Sequence, residues 1–429
     1  MKSKILILST IAIFLLLFTN CKKKDKNPEP EPAPATPSPL ATLSTLTISS
    51  ITETTAIGGG NISSEGTSAI TAVGVCWDTN TSPTTLKPHT NNGAGTGTYT
   101  SSITGLLPNT TYYVRAYATN GSGTVYGNEV SFKTKSIWTK ANVTSGNTIF
   151  VNSTAIIGSD IFCPVSQSSV TSVIKTSSDN GATWSQVGTT INEGDISIFS
   201  NGTELFSGML NGIYKSTNNS VTWTNSSSGL PTASITPKIK TFTKSGSSIF
   251  AGGNIGVFRS TDNGSSWIDA NNGLGVSSVI ELFSAGSIVF AGTSNDCYRS
   301  ADNGTSWNTI NTGLPLTNKN IHNFCSNGNT ILLVAGNLNT LYLSNDNGNT
   351  WSIANNSIGI LVNAVVSYGN NFYISTFSGV YVSEDNGLTW QNISQGLANN
   401  EIKKLLVRGN MLIGFLNGNA TYDTYNYPL

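Results

Sequence analysis

Charge is scarce in this chain of 429 residues: 10% of its side chains are Asp, Glu, Lys or Arg, and 22 acidic groups cancel 22 basic ones. Only four are arginines. Nucleic-acid binding needs a concentrated basic face, so no such partner is expected. Histidine occurs twice, at His89 and His322, too far apart in sequence to suggest a His-centred metal or catalytic site. The five cysteines (Cys21, Cys76, Cys163, Cys297 and Cys325) lack C-x-x-C spacing, which argues against a zinc site or a disulfide framework. The last four are expected as buried thiols. No metal, cofactor or catalytic set is indicated. Beyond the N-terminus no stretch reads as a helix. Gly is abundant instead, 43 residues of it, alongside Asn, Ser and Thr, the composition of short strands joined by tight turns.

Residues 1–20 carry Lys2 and Lys4, then an apolar run over 5–18. That run is shorter than the ~20 residues needed to span a bilayer, so it reads as a secretion signal. Cys21 directly after it resembles the bacterial lipoprotein signal. The resemblance implies cleavage before Cys21, acylation there by palmitate-type chains, and anchoring in the outer membrane, facing the cell surface or the periplasm. Residues 21–40 continue with a lysine cluster and a proline-alternating stretch, an extended linker rising ~3.1 Å per residue.

From 41 to 134, strand-like runs at 46–51, 54–62, 69–77, 99–103, 110–119 and 125–134 predict a β-sandwich. The run Leu107-Pro108-Asn109-Thr110-Thr111-Tyr112 resembles the signature of fibronectin type III domains. It implies a buried corner Tyr112 whose hydroxyl ties to upstream backbone, Val114, Ala116 and Ala118 pointing inward, Trp77 packed centrally, and a spacer role.

One phrase organises the remainder. S-x-D-x-G-x-[ST]-W occurs at 177–184, 260–267, 300–307, 344–351 and 383–390, and in altered form at 216–223, where Asn218 replaces Asp and Ser220 replaces Gly. Trp-to-Trp steps are 39, 44, 40, 44 and 39 residues, each holding four short strand patterns, which is the period of a β-propeller blade. Within the phrase, Gly supplies a positive φ, Asp and Ser lock the turn through hydrogen bonds, and Trp wedges between neighbouring sheets. Asp179, Gly181 and Trp184, Asp262, Gly264 and Trp267, Asp302, Gly304 and Trp307, Asp346, Gly348 and Trp351, and Asp385, Gly387 and Trp390 are therefore structural. An EF-hand is excluded by the missing bidentate Glu and flanking helices. After Trp390 only three strand patterns remain, and Ser136-Ile137-Trp138 matches Ser265-Ser266-Trp267, so strand 136–142 is expected to complete the last sheet. The fold class is all-β: a seven-bladed β-propeller over 136–429, preceded by the sandwich.

Residues 136–429 resemble Asp-box propellers, the BNR or sialidase-like group, with a fibronectin type III-like domain in front as in surface proteins of the Bacteroidetes. The resemblance places a ligand face opposite the Asp turns. A sialidase needs three converging arginines, whereas Arg259 and Arg299 share one repeat position, before the turn Ser. Other glycoside hydrolysis needs two carboxylates ~5–9 Å apart. Glu193 and Asp195 are weak candidates, being the only close pair on those loops. Lys238, Asn254, Asp296, Asn318, Lys319, Asn339, Phe377 and Glu401 are the other candidate ligand-face residues. The expected function is noncatalytic binding of a glycan or of an envelope or extracellular protein. The alternatives are a secreted glycoside hydrolase and an envelope assembly factor. Cys21→Ser should abolish incorporation of labelled palmitate and release the chain from the membrane fraction, both read on one gel.

Overall fold

The computed structural model describes residues 40–141, 153–168, 171–193, 196–209, 211–231, 236–275, 278–354, 361–398, 401–416 and 424–429, and no helix occurs among them. The signal, Cys21 and the proline-rich linker lie outside the described residues, as does Asp195.

The N-terminal unit is two facing sheets. Thr42–Thr45, Ala56–Ser64 and Gly97–Ile103 form one; Ala72–Asp78, Thr111–Asn120, Gly123–Tyr126 and Val130–Lys133 form the other. Val75, Ile103 and Val114 are fully buried between them, with Trp77, Tyr112 and Phe132 around. Along Thr111–Asn120 the residues Tyr112, Val114, Ala116 and Ala118 are buried, the two-residue period of a strand with one face on a core. The Tyr112 hydroxyl accepts the Leu107 N–H at 3.0 Å. Two expected strands differ. Residues 46–51 form no strand, making the single bridge Ser49 to Ile57 and one bond from the Leu46 N–H to the Gly59 carbonyl at 3.0 Å, and 125–134 is two strands with a break at 127–129. Thr45 causes that break: its N–H donates to Asn128 Oδ1 at 3.0 Å, and its hydroxyl donates to the Asn128 carbonyl at 2.5 Å while accepting the Ala116 N–H at 2.9 Å. A strand end that is paired to Gly60 in its own sheet thus also bonds to the second sheet.

The rest is seven four-stranded antiparallel sheets in succession, the arrangement of a β-propeller. The third is Ile239–Ser245, Ser248–Gly253, Gly256–Ser260 and Ile268–Asp269. The first strands of successive sheets lie side by side. The seventh sheet combines Ile402–Arg408, Met411–Leu416 and Thr424–Pro428 with Thr139–Lys140, whose partners are Asn426 and Tyr425.

What joins consecutive sheets is a Trp step. The indole N–H groups of Trp267, Trp307, Trp351 and Trp138 donate to the carbonyls of Ser226, Ala270, Ile310 and Ile393 at 2.8, 2.8, 3.0 and 2.8 Å. Their main-chain N–H groups bond to Ser228, Asn272, Thr312 and Gln395. All these acceptors follow the outer strand of the preceding sheet. Next come Gly229, Gly273, Gly313 and Gly396, at φ 90, 90, 92 and 95°. A Cβ there would stand 2.0, 2.3, 1.7 and 2.2 Å from the Trp carbonyl oxygen. Trp184, Trp223 and Trp390 depart from the expectation: they are only half-buried. The segments that follow the preceding outer strands in these three cases, 142–152, 194–195 and 355–360, fall outside the described residues.

Gly313→Ala combines a left-handed φ with a main-chain clash and should cost about 3 kcal/mol. Gly246→Ala, at φ 58° in open space, should cost only about 1 kcal/mol. Urea unfolding of the two variants checks the difference.

Candidate functional site

The two ends of the sheets have different chemistry. At one end lie the Asp turns, where every carboxylate oxygen is engaged. Asp262 Oδ1 accepts the Ser260 hydroxyl at 2.8 Å and the Ser266 N–H at 2.9 Å, while Oδ2 accepts the Ser266 hydroxyl at 2.6 Å. The Gly264 N–H then donates to Ser260 Oγ at 2.7 Å. Asp179, Asp302, Asp346 and Asp385 repeat the pattern. Hydrogen bonds from the Ser266, Ser306 and Thr389 side chains are the main reason that Asp262, Asp302 and Asp385 are held down at about 2.

Sequence reasoning missed one member of the turn. Asn180, Asn263, Asn303, Asn347 and Asn386 sit at φ 57–60° directly before the left-handed Gly. Two successive left-handed residues explain why Asn fills a position read as variable. Its recurrence in all six copies was the available signal. In the altered copy, Asn218 Oδ1 takes the acceptor role of the Asp, and its Nδ2 donates to Thr222 Oγ1 at 2.9 Å. Ser220 adopts φ 71° in place of Gly.

At the opposite end, where second strands turn into third strands and outer strands lead to the next sheet, lie Lys238, Asn254, Asp296, Asn318, Lys319, Asn339, Phe377 and Glu401. The structure brings some of them together. Asp296 accepts Asn311 Nδ2 at 2.8 Å and the Tyr298 hydroxyl at 3.4 Å, and faces the Lys319 ammonium at 3.7 Å. Burial, then the Asp296 charge, pushes the Tyr298 hydroxyl up, so it remains a donor. Lys319 is itself buried and also donates to the Leu316 carbonyl at 3.3 Å. Glu401 pairs with Lys403, whose ammonium stands 4.2 Å over the ring of the exposed Phe377. The remaining residues serve turns. Asn254 Oδ1 accepts the Lys238 N–H at 2.7 Å, and Asn318 and Asn339 supply φ of 50 and 47°. Glu193 follows the outer strand Ser185–Ile191 of the first sheet.

Between the third and fourth sheets this end opens into a cavity of 720 Å³, lined by Ile255, Asn271, Leu274, Ser278, Ser294 and Asn295 among others. Asn271 is committed to the fold, accepting the Val257 N–H at 2.8 Å and donating to Asp269 at 3.0 Å. The Ser278, Ser294 and Asn295 side chains make no hydrogen bond among the described residues. Asn295 adjoins the Asp296 cluster, so free donors and acceptors meet two apolar side chains in a space of ligand size. Sequence reasoning found Asp296 but not these three neighbours, since nothing in a run of Ser and Asn separates a groove wall from a turn.

A depressed carboxylate stabilises the fold above its ordinary pKa, near 3.8, and that stability is lost as pH falls through about 2. Amide exchange at Gly264 and Ser266 should therefore accelerate over that interval. Asp262→Asn should fold with the Asn218-type bonding and lose this acid sensitivity at its own turn, whereas Asp262→Ala should lose about 1–2 kcal/mol. NMR exchange rates and urea midpoints check both.

A family model for the DUF6242 beta propeller domain matches residues 207–401, just under half of the chain. No curated protein matches. Among solved structures, YCF48 bound to D1 peptide is similar at 15% identity and a TM-score of 0.52, over 68% of this chain and 96% of that one. The extracellular domain of BT4673 from B. thetaiotaomicron is similar at 14% identity and a TM-score of 0.52, over 68% of this chain but only 39% of that one. At such identities the likeness establishes the fold alone: the chain contains a β-propeller domain.

Proposed function

We propose that the chain is a noncatalytic cell-envelope lipoprotein whose propeller binds a glycan or a protein on the end away from the Asp turns. In this reading the seven sheets are seven blades of a closed Asp-box ring, the N-terminal sandwich is a fibronectin type III-like spacer, and Cys21 anchors the whole in the outer membrane. Ring closure is supported by bonds between the seventh and first sheets: Thr424 Oγ1 donates to the Gly181 carbonyl at 2.6 Å, and Arg408 bonds to Asn180 and to the Ser178 carbonyl.

The observation that carries the binding reading is the groove between the third and fourth sheets, with uncommitted Ser278, Ser294 and Asn295 beside a charge-balanced Asp296–Lys319 pair. Uncommitted hydroxyl and amide groups without an unpaired charge suit an uncharged polar ligand. The similar YCF48 structure holds a peptide, which supports the protein side of the choice and an assembly role as its variant. A hydrolase has less support: Asp296 and Glu401 each face a lysine.

Screening the soluble chain from residue 41 onward on a neutral glycan array and a peptide array tests this reading. Asn295→Ala should weaken whichever ligand is captured about tenfold, the equivalent of one lost hydrogen bond. Asp302→Asn, at the other end, should leave binding unchanged. Capture insensitive to Asn295→Ala, or hydrolysis of a captured glycan, would overturn the reading.

A further inference from the structure

Each Asp turn contains Asn followed by Gly, the dipeptide most prone to lose its side-chain amide, because Gly has no side chain to shield its main-chain nitrogen. The chain has twelve Asn-Gly pairs, eleven of them among the described residues. In the reaction the Gly nitrogen attacks the Asn side-chain carbon and loses its proton, and ammonia leaves. Water then opens the resulting succinimide at one of its two carbonyls, giving aspartate or isoaspartate. The nitrogen must be free to approach, and the side-chain amide must be free to swing toward it.

Ten of the eleven pairs fail one of these conditions. Gly181, Gly264, Gly304, Gly348 and Gly387 are buried, and their N–H groups donate to the turn Ser hydroxyl at 2.8, 2.7, 2.8, 2.9 and 2.8 Å. Gly93, Gly121 and Gly202 donate theirs to Asn91, Ser68 and Ser200 side chains at 3.0, 3.0 and 2.9 Å. The Asn272 amide is held by the Thr305 carbonyl at 3.2 Å. Gly212 closes a hairpin opposite Met209, within the ladder.

Asn327-Gly328 differs. Asn327 stands opposite Thr330 at the hairpin between the first two strands of the fifth sheet. Gly328 is exposed at φ 57° with open space around it. Among the described residues, no hydrogen bond engages the Asn327 side chain or the Gly328 N–H. Five of the six equivalent hairpins place Ile157, Ser245, Ala285, Tyr368 and Arg408 before their Gly, none of which carries an amide; the sixth has Asn201, whose following Gly202 N–H is already engaged by Ser200.

We propose that, of the Asn-Gly pairs among the described residues, Asn327 is the one that deamidates in the folded chain, and that the Ser hydroxyl of each Asp turn protects the Asn beside it. The product places a negative charge, and in the isoaspartyl form an extra main-chain carbon, in a hairpin on the Asp-turn end of the fifth sheet.

The test is incubation of the full chain in mildly alkaline buffer, followed by peptide mapping for amide-to-acid conversion and isoaspartate. A urea-unfolded sample and the Ser260→Ala variant run in parallel. Asn327 should convert at least about tenfold faster than Asn263 or Asn303, the rate equivalent of one hydrogen bond. Urea should level the three. Ser260→Ala should accelerate Asn263 several-fold while Asn303 stays slow, the latter showing that the variant is folded. Equal rates at Asn327, Asn263 and Asn303 in the folded chain, or an unchanged Asn327 where the unfolded chain converts, would overturn the proposal.

Discussion

The step on which the propeller depends is the insertion of one sheet's Trp beneath the end of the preceding sheet's outer strand. It combines burial of a large apolar body with two hydrogen bonds, one from the indole and one from the main chain. It also explains the glycine that follows each of these four receiving strands: with the Trp carbonyl only 1.7 to 2.3 Å from where a Cβ would sit, no other residue fits without displacement. At these four steps one sheet therefore presents a socket that its successor fills, and stability passes from neighbour to neighbour as in other repeat folds. Trp138 makes the same step into the sixth sheet, through Ile393 and Gln395. The strand that carries it comes from the start of the propeller, so the last sheet is seated by the first segment.

Two further sets of contacts hold the sheets in step. Gly264, Gly304 and Gly348 in the turns lie against Phe206, Phe250 and Phe290 of the preceding sheets, so close that a Cβ would come within 2.2 to 2.4 Å of the rings. Nearer the axis the first strands are stitched laterally. Ser197 Oγ donates to the Ile239 carbonyl, Thr241 Oγ1 accepts the Leu282 N–H, Asn323 Nδ2 donates to the Asn363 carbonyl, and Asn363 Nδ2 to the Ile402 carbonyl. Between the fourth and fifth sheets Phe283 and Phe324 stack at 5.7 Å with an interplanar angle of 2°. Each link is worth only about 1 kcal/mol, and the links add up along the row of neighbouring sheets.

The all-β class and the propeller were legible because the octapeptide repeats at a fixed pitch and each of its residues has a local mechanical duty. The roles of Ser260, Asp262 and Gly264 follow from turn chemistry alone. The lateral stitching was not legible, because it joins residues about 40 positions apart through Ser, Thr and Asn that are everywhere in this chain. The half-buried state of Trp184 and Trp390 was illegible because their phrases match those around the buried Trp267, Trp307 and Trp351. In the sandwich, residues 46–51 carry an apolar strand pattern, yet Thr45 decides the pairing by crossing to Asn128 and Ala116 on the other sheet. A side chain that bonds across two sheets overrides a local preference for extension.

Hydrogen-bond commitment separates the two ends of the propeller. An Asp whose oxygens already accept two hydroxyls and an amide is committed to its own turn, and its low pKa expresses those hydrogen bonds rather than catalytic tuning. Perturbed titration here marks structure. At the other end the pattern is reversed: Asn271 and Asn311 are spent on the N–H groups of Val257 and Cys297, while Asn295, one position before Asp296, is left over. Repetition consumes polar groups wherever a turn must be built alike in every sheet, and so the groups available for recognition are those that the repeat does not specify. Ser278, Ser294 and Asn295 meet that condition and share one groove, which is why the binding reading rests there and not on the more conspicuous acids.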